Sequence, residues 1–248
     1  MTLIPKRRCW ASVVGGCSEK LTGEHVVGNA LFEAEILEVS GVEKIAQSGA
    51  SKAVGKGNLT AKILCGNHNS ALSPLDGEVV ALHAAIRKAR TQKADQVHRV
   101  NGVLLERWSL RLLTNLLASG WAGPEALAPD IGIVRQVFGL APIVHPSGLY
   151  VISDYKGSIP PDSVFYAVLV GRTQPPHVLG IVVSLSGLLY VLSTSKADLQ
   201  QVLRDNGDFQ QFSLDGAKTH YHPTRMQLGD RFAKDPVPSL LLEFAWNS

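Results

Sequence analysis

Apolar residues recur along this chain with two periods, and the change of period marks where helices give way to strands. From residue 103 to about 119, Leu104, Leu105, Trp108, Leu112, Leu113, Leu116 and Leu117 fall three or four apart. That spacing gathers them on one broad helical face, with Trp108 as a core residue. Upstream, Leu75, Val79, Val80, Leu82, Ala85 and Ile86 repeat in the same way. Just before them, Ser73-Pro74-Leu75-Asp76 has the form of a helix start. Ser73 can cap, Pro74 suits the first helical position and Asp76 can reach back to the cap amide. The pattern predicts a helix over 73–90. Beyond Gly120-Trp-Ala-Gly-Pro124 the character changes: 149–154, 164–171, 178–184, 188–194 and 240–246 are short apolar runs separated by Gly, Pro and Ser, and they read as strands. Ser195-Lys-Ala-Asp198 opens a short helix that closes near Asn206-Gly207.

The first sixty residues are less regular. They read as a loop-rich start with a break at Gly15-Gly16, an apolar run over 21–27, a short helix then an exposed loop over 33–57, and a strand over 59–65. The fold class that follows is α+β. An amino-terminal domain spans 1–95, a connecting helix lies within 96–122, and a mostly antiparallel β domain spans 123–248.

Composition adds little to this. The chain has 248 residues, 45% hydrophobic and 18% charged, which suits a globular protein and argues against disorder, collagen or coiled coil. Charge adds more. The net charge is +3, but residues 1–100 hold 13 Lys/Arg against 9 Asp/Glu and the remainder holds 11 against 12. A polyanion is therefore expected to meet the first half. The basic cluster Arg87, Lys88, Arg90 and Lys93 reads either as complement to a helix dipole or as phosphate contacts. The basic start is followed by no apolar core, so no secretory signal is read there. The apolar stretch 179–192 is broken by Ser184, Ser186 and Gly187 and reads as two strands with a tight turn, not as a membrane span. The expected location is the cytoplasm.

Candidate chemistry concentrates in the first 70 residues. Cys9, Cys17 and Cys65 are the whole cysteine inventory, and Cys65-Gly-Asn-His68 is a Cys-x-x-His step. Thiolate and imidazole are the ligands zinc prefers, and a two-residue gap lets both side chains turn toward one ion. A second polar cluster is interleaved: Thr22-Gly-Glu24-His25-Val-Val27, then Gly57-Asn58-Leu59, then His68-Asn69. His83, His98, Tyr221 and His222 have no evident acidic or Cys partner and are not read as site residues.

Leu21-Thr-x-Glu-His25 and Ile63-Leu-Cys-x-x-His-Asn-Ser-x-Leu-Ser-Pro-Leu-Asp76 resemble a branch of bacterial HNH endonucleases, over about residues 9–90. The resemblance implies two strands and a helix gripping one metal. In that arrangement Glu24 and Asn69 bind a catalytic Mg²⁺ or Mn²⁺, His25 is the general base and Asn58 orients it. Cys9, Cys17, Cys65 and His68 form a structural zinc staple. The implied reaction is hydrolysis of nucleic-acid phosphodiesters, most naturally DNA. The chain departs from the family pattern in three places. Glu24 stands where Asp or His is commoner, Asn69 replaces the final His, and the knuckle ends in His68 instead of Cys. Those departures keep a second reading open: a non-catalytic zinc-stapled module that binds nucleic acid or protein through a degenerate site. The carboxyl-terminal domain is the expected seat of a regulatory ligand or protein partner.

Overall fold

The computed structural model describes residues 9–42, 45, 50–92, 95–122, 129–155, 164–171, 177–205, 217–228 and 240–247. Among them the chain is mixed α and β, with four α-helices. It divides into two compact units: Met1–Asp76 with Leu110–Pro142, and Gly77–Ser109 with Ile143–Ser248. The helices α1 (Gly66–Thr91) and α2 (Gly102–Ser119) each contribute residues to both.

In the first unit, β1 (Leu21–His25) is followed by β2 (Ile36–Ser40), β3 (Ser51–Gly55) and β4 (Thr60–Cys65). β1 and β4 pair antiparallel, Leu21 opposite Cys65 and His25 opposite Thr60, with a register shift between Thr22 and Glu24. β4 runs directly into α1, which begins at Gly66. β2 and β3 form a separate antiparallel hairpin. This corrects the expectation of a short helix and loop over 33–57. Leu37 and Val39 are half-buried between exposed Ile36, Glu38 and Ser40, a period of two too short to stand out in the sequence. Residues 46–49 of that loop lie outside the described residues.

The helix start expected at Ser73 also moves. Ser73 and Pro74 lie inside α1, and the Ser73 hydroxyl donates back to the Asn69 carbonyl at 3.5 Å. Pro74 offers no N–H to the carbonyl of Ser70, but Ser70 is exposed, so water can satisfy it. The stretch read from sequence as a capping box is thus helix interior. The helix α3 (Ile131–Val137), not foreseen in the sequence, is capped by Asp130, whose Oδ1 accepts the Gly132 N–H at 2.7 Å.

In the second unit, β5 (Gln96–Asn101) precedes α2, so the segment 96–122 opens on a strand before its helix. β6 (Gly148–Ser153), β7 (Val164–Val170), β8 (Val178–Leu185) and β9 (Leu188–Ser193) lie close to the expected strands. With β10 (Lys218–Tyr221) they form a five-stranded antiparallel sheet in the order β10-β6-β9-β8-β7. β8 and β9 are buried almost throughout, as strands covered on both faces must be. The helix α4 (Leu199–Asp205) adds Leu199, Val202 and Leu203 to a core containing Ile152, Leu169, Val182 and Val191. Its expected close at Asn206-Gly207, like Lys93 of the basic cluster, lies outside the described residues. A second sheet, β11 (Arg225–Leu228), β12 (Leu240–Ala245) and β5, includes one parallel pair, β12 with β5.

The tight turn between β8 and β9 has Ser186 at φ 49 and Gly187 at φ 87, the two positive values a two-residue hairpin turn needs. His83 and Arg90 of α1 hold it: the Ser186 hydroxyl meets His83 Nδ1 at 2.9 Å, and Arg90 donates to the Ser186 carbonyl. Arg90 therefore has a structural partner apart from any phosphate.

His222 is placed with equal care. Its Nε2–H donates to Glu106 Oε1 at 2.8 Å, and the same oxygen accepts the Leu149 N–H at 2.8 Å. Its ring lies between Tyr221 and Trp246, with centroids 4.0 Å and 3.8 Å away. Gly102, the first residue of α2, leaves room for that stack, since a Cβ there would stand 2.7 Å from the Trp246 ring. Gly102→Ala is expected to cost about 1–3 kcal/mol by overpacking. Gly77→Ala, facing open space on the exposed side of α1, is expected to be neutral or to stabilise by up to ~1 kcal/mol. Thermal melts of the two variants check both signs.

Candidate metal centre and active site

Three separated pieces of chain converge at the junction of β4 and α1. Cys9 precedes a 3-10 turn at Trp10–Val14, Cys17 lies in the loop after it, Cys65 ends β4, and His68 sits in the first turn of α1. Their ligand atoms all lie within 4.8 Å of one another. His68 Nδ1 is 3.2 Å from the sulfur of Cys9, 3.6 Å from that of Cys17 and 3.2 Å from that of Cys65. A zinc tetrahedron with ordinary bond lengths separates its nitrogen and sulfur ligands by about 3.5 Å. The group can therefore hold a metal ion such as zinc.

The imidazole is oriented for that task. With Nδ1 toward the sulfurs, Nε2 donates to the Gly15 carbonyl at 2.7 Å, the outer bond that fixes the tautomer of a metal-ligating histidine. Gly15 and Gly16 have φ 78 and 72, and Asn67 donates to the Gly16 carbonyl at 3.1 Å. The two glycines read in the sequence as a break are what let the loop turn its carbonyls toward α1. Phe138 packs edge-on to the His68 ring at 5.3 Å, and Trp10 donates to Asn115 Oδ1 at 3.1 Å, tying the loop to α2.

The three thiols differ in acidity without an ion. Burial pushes Cys9 up to about 12 and also raises Cys17. Burial opposes ionisation of Cys65 too, but hydrogen bonds from the His68 and Ser18 amides, the Ser18 hydroxyl and Cys9 outweigh it and bring Cys65 down to about 6. Cys65 thus offers the first thiolate, and the other two must lose protons as a metal enters.

The residues of the second cluster are distributed less tightly. Glu24 and His25 end β1, after the register shift at Gly23. Asn58 ends a 3-10 turn at the His25 end of the β1–β4 ladder, where the Val26 N–H donates to the Leu59 carbonyl at 3.0 Å. Its side chain is exposed. Asn69 is half-buried in α1, and among the described residues no hydrogen bond joins it to Glu24 or His25. His25 Nε2 is buried with no hydrogen-bond partner, as is Asn29 Oδ1 four residues on.

Glu24 is not free. Its carboxylate, 3% exposed, is gripped by Arg111 Nη2, while Arg111 Nη1 donates to Asp76 Oδ2 at 2.7 Å and to the Leu72 carbonyl at 3.3 Å. Burial raises the Glu24 carboxyl and the Arg111 charge opposes that; Asp76 and His25 also act on it, in opposite senses. Burial likewise disfavours the Arg111 charge, but the two carboxylates prevail and hold it on. Sequence reasoning missed both partners. Asp76 was hidden by its resemblance to a helix cap. Arg111 carried a usable signal: a lone charge inside the apolar run Leu110 to Leu113 needs a buried counter-charge.

Among the described residues no helix is long and apolar enough to cross a membrane. Comparison with protein-family profiles, curated proteins and solved structures found no match to this chain.

Proposed function

We propose that this chain is a zinc-stapled, metal-dependent nuclease of the HNH type that hydrolyses phosphodiester bonds of nucleic acid, with DNA as the expected substrate. Support comes from the order of elements: two antiparallel strands, β1 and β4, lead directly into α1, and a Cys₃His group sits at that junction. The observation that carries the reading is His25, whose Nε2 is buried and unpartnered at the end of β1, next to a carboxylate. In this reading Cys9, Cys17, Cys65 and His68 hold structural zinc, Glu24 and Asn69 reach the catalytic divalent cation, and Asn58 orients His25. Imidazole has the basicity to take a proton from the attacking water near neutral pH. A bound Mg²⁺ or Mn²⁺ supplies positive charge at the phosphate oxygens.

The grip of Arg111 on Glu24 favours a second reading, a zinc-stapled module that binds nucleic acid or protein without cutting it. One assay separates them. Plasmid DNA is incubated with the zinc-loaded protein and Mg²⁺, Mn²⁺ or chelator, beside His25→Ala. The nuclease reading expects cation-dependent cleavage that falls about 10²–10⁴-fold in the variant. The binding-module reading expects zinc in the protein and no cleavage with either cation.

A further inference from the structure

The four side chains of the zinc group are not equally protected. Cys9 keeps 3% of its surface, Cys65 1% and His68 6%, whereas Cys17 is exposed. Cys17 is also the sulfur farthest from His68 Nδ1, at 3.6 Å against 3.2 Å for the other two. The two glycines before it face open space, since a Cβ on Gly15 or Gly16 would meet nothing within 4 Å. One sulfur of the staple therefore faces solvent, and two buried sulfurs lie within 4.8 Å of it. Oxidation of cysteine follows thiolate character and exposure, so an oxidant in solution meets Cys17 first. A disulfide needs its sulfurs at about 2.05 Å, and the open loop gives Cys17 room to close on a neighbour.

We propose that Cys17 is an oxidative modification site, and that its disulfide with Cys9 or Cys65 expels the zinc and makes the staple a peroxide-sensitive switch. This rests on the zinc staple and not on cleavage of nucleic acid. The oxidant is a hydroperoxide. The Cys17 thiolate attacks one peroxide oxygen, the O–O bond breaks, hydroxide leaves, and Cys17 becomes a sulfenic acid. The thiolate of Cys9 or Cys65 then attacks that sulfur: an S–S bond forms, the S–O bond breaks and a second hydroxide leaves. The two sulfurs together give up two electrons, and the peroxide accepts them. Zinc is held by thiolates, so the disulfide removes two of its four ligands and the ion departs. Thiol reductants break the S–S bond again and reopen the group to zinc.

In the test, the zinc-loaded full chain is treated with hydrogen peroxide beside an untreated sample. A chromogenic chelator follows zinc release, and mass spectrometry maps the cysteines. The expected result is release of the bound zinc, a disulfide that includes Cys17, and recovery of zinc binding after dithiothreitol and added zinc. Dimedone, which caps sulfenic acids, is expected to label Cys17 ahead of Cys9 and Cys65. Cys17→His keeps a nitrogen ligand but removes the exposed sulfur, and is expected to release zinc at least about tenfold more slowly under peroxide. Should that variant fail to take up zinc, the order of dimedone labelling in the wild type decides alone. Zinc held through peroxide treatment, first labelling at Cys9 or Cys65, or a Cys9–Cys65 disulfide with Cys17 still reduced would overturn the switch and leave the staple standing. A wild type that carries no zinc and takes none up would remove the staple and the switch together.

Discussion

Cys65→Ser is expected to lower bound zinc from one equivalent to near zero and to unfold the unit formed by Met1–Asp76 and Leu110–Pro142. The expected size follows from what the group does. Zinc bound by four protein ligands contributes on the order of 10 kcal/mol of folding free energy near neutral pH, which rivals the whole stability of a typical domain. Among the described residues, the loop carrying Cys9 and Cys17 is tied to α1 by the bonds of His68 and Asn67 to Gly15 and Gly16, with Phe138 and Trp10 packing beside them. If Cys65 were only a small buried side chain, a serine hydroxyl there would cost about 1–3 kcal/mol and chelators would change nothing. Metal analysis with thermal melts, with and without chelator, separates an effect of ten from an effect of two.

Arg111→Ala is expected to cost about 3–5 kcal/mol, because it strands the Glu24 carboxylate in the interior with no counter-charge. The pH dependence gives this a sign. Burial already raises the folded-state Glu24 carboxyl above its ordinary value. A carboxyl raised on folding contributes stability that is present below its unfolded pKa and is lost as pH rises through the folded one. Without Arg111 the rise is larger, so the penalty of the variant should be greatest at neutral pH and shrink as pH falls toward the carboxylate range. Adding Glu24→Gln to Arg111→Ala should recover part of the loss at neutral pH, since a neutral amide no longer needs the guanidinium. Urea melts of the single and double variants at several pH values measure this. A penalty independent of pH, unrelieved by the second substitution, would mean that Arg111 acts through packing alone.

Strongly periodic or sharply bounded segments were legible in the sequence, and short or ambiguous ones were not. The spacing of Leu105, Trp108, Leu112 and Leu116 marks α2, and the breaks at Ser186-Gly187 separate β8 from β9. β2 and β3 escaped notice because each offers only five residues, and their apolar positions are diluted by Glu38, Ser40, Ser51 and Lys52. α1 was placed late because Ser73-Pro74-Leu75-Asp76 satisfies the local chemistry of a helix start. The helix extends back to Gly66 along the stretch that brings His68 to Cys65. Tertiary contacts decided that boundary, and sequence-local rules do not contain them. The metal group was legible because thiols and imidazole at knuckle spacing have few other uses. The Glu24–Arg111–Asp76 cluster was not, because its members lie 35 or more positions from Arg111 and meet only through the packing of β1, α1 and α2.

The most direct measurement of the metal centre is zinc-edge X-ray absorption on the protein as purified. Three sulfur scatterers at about 2.3 Å and one nitrogen at about 2.0–2.1 Å are the shell that Cys9, Cys17, Cys65 and His68 dictate. A zinc-free protein that is fully folded, or an ion surrounded by oxygen and nitrogen without sulfur, would contradict the staple and leave the β1–β4–α1 unit without the support proposed for it.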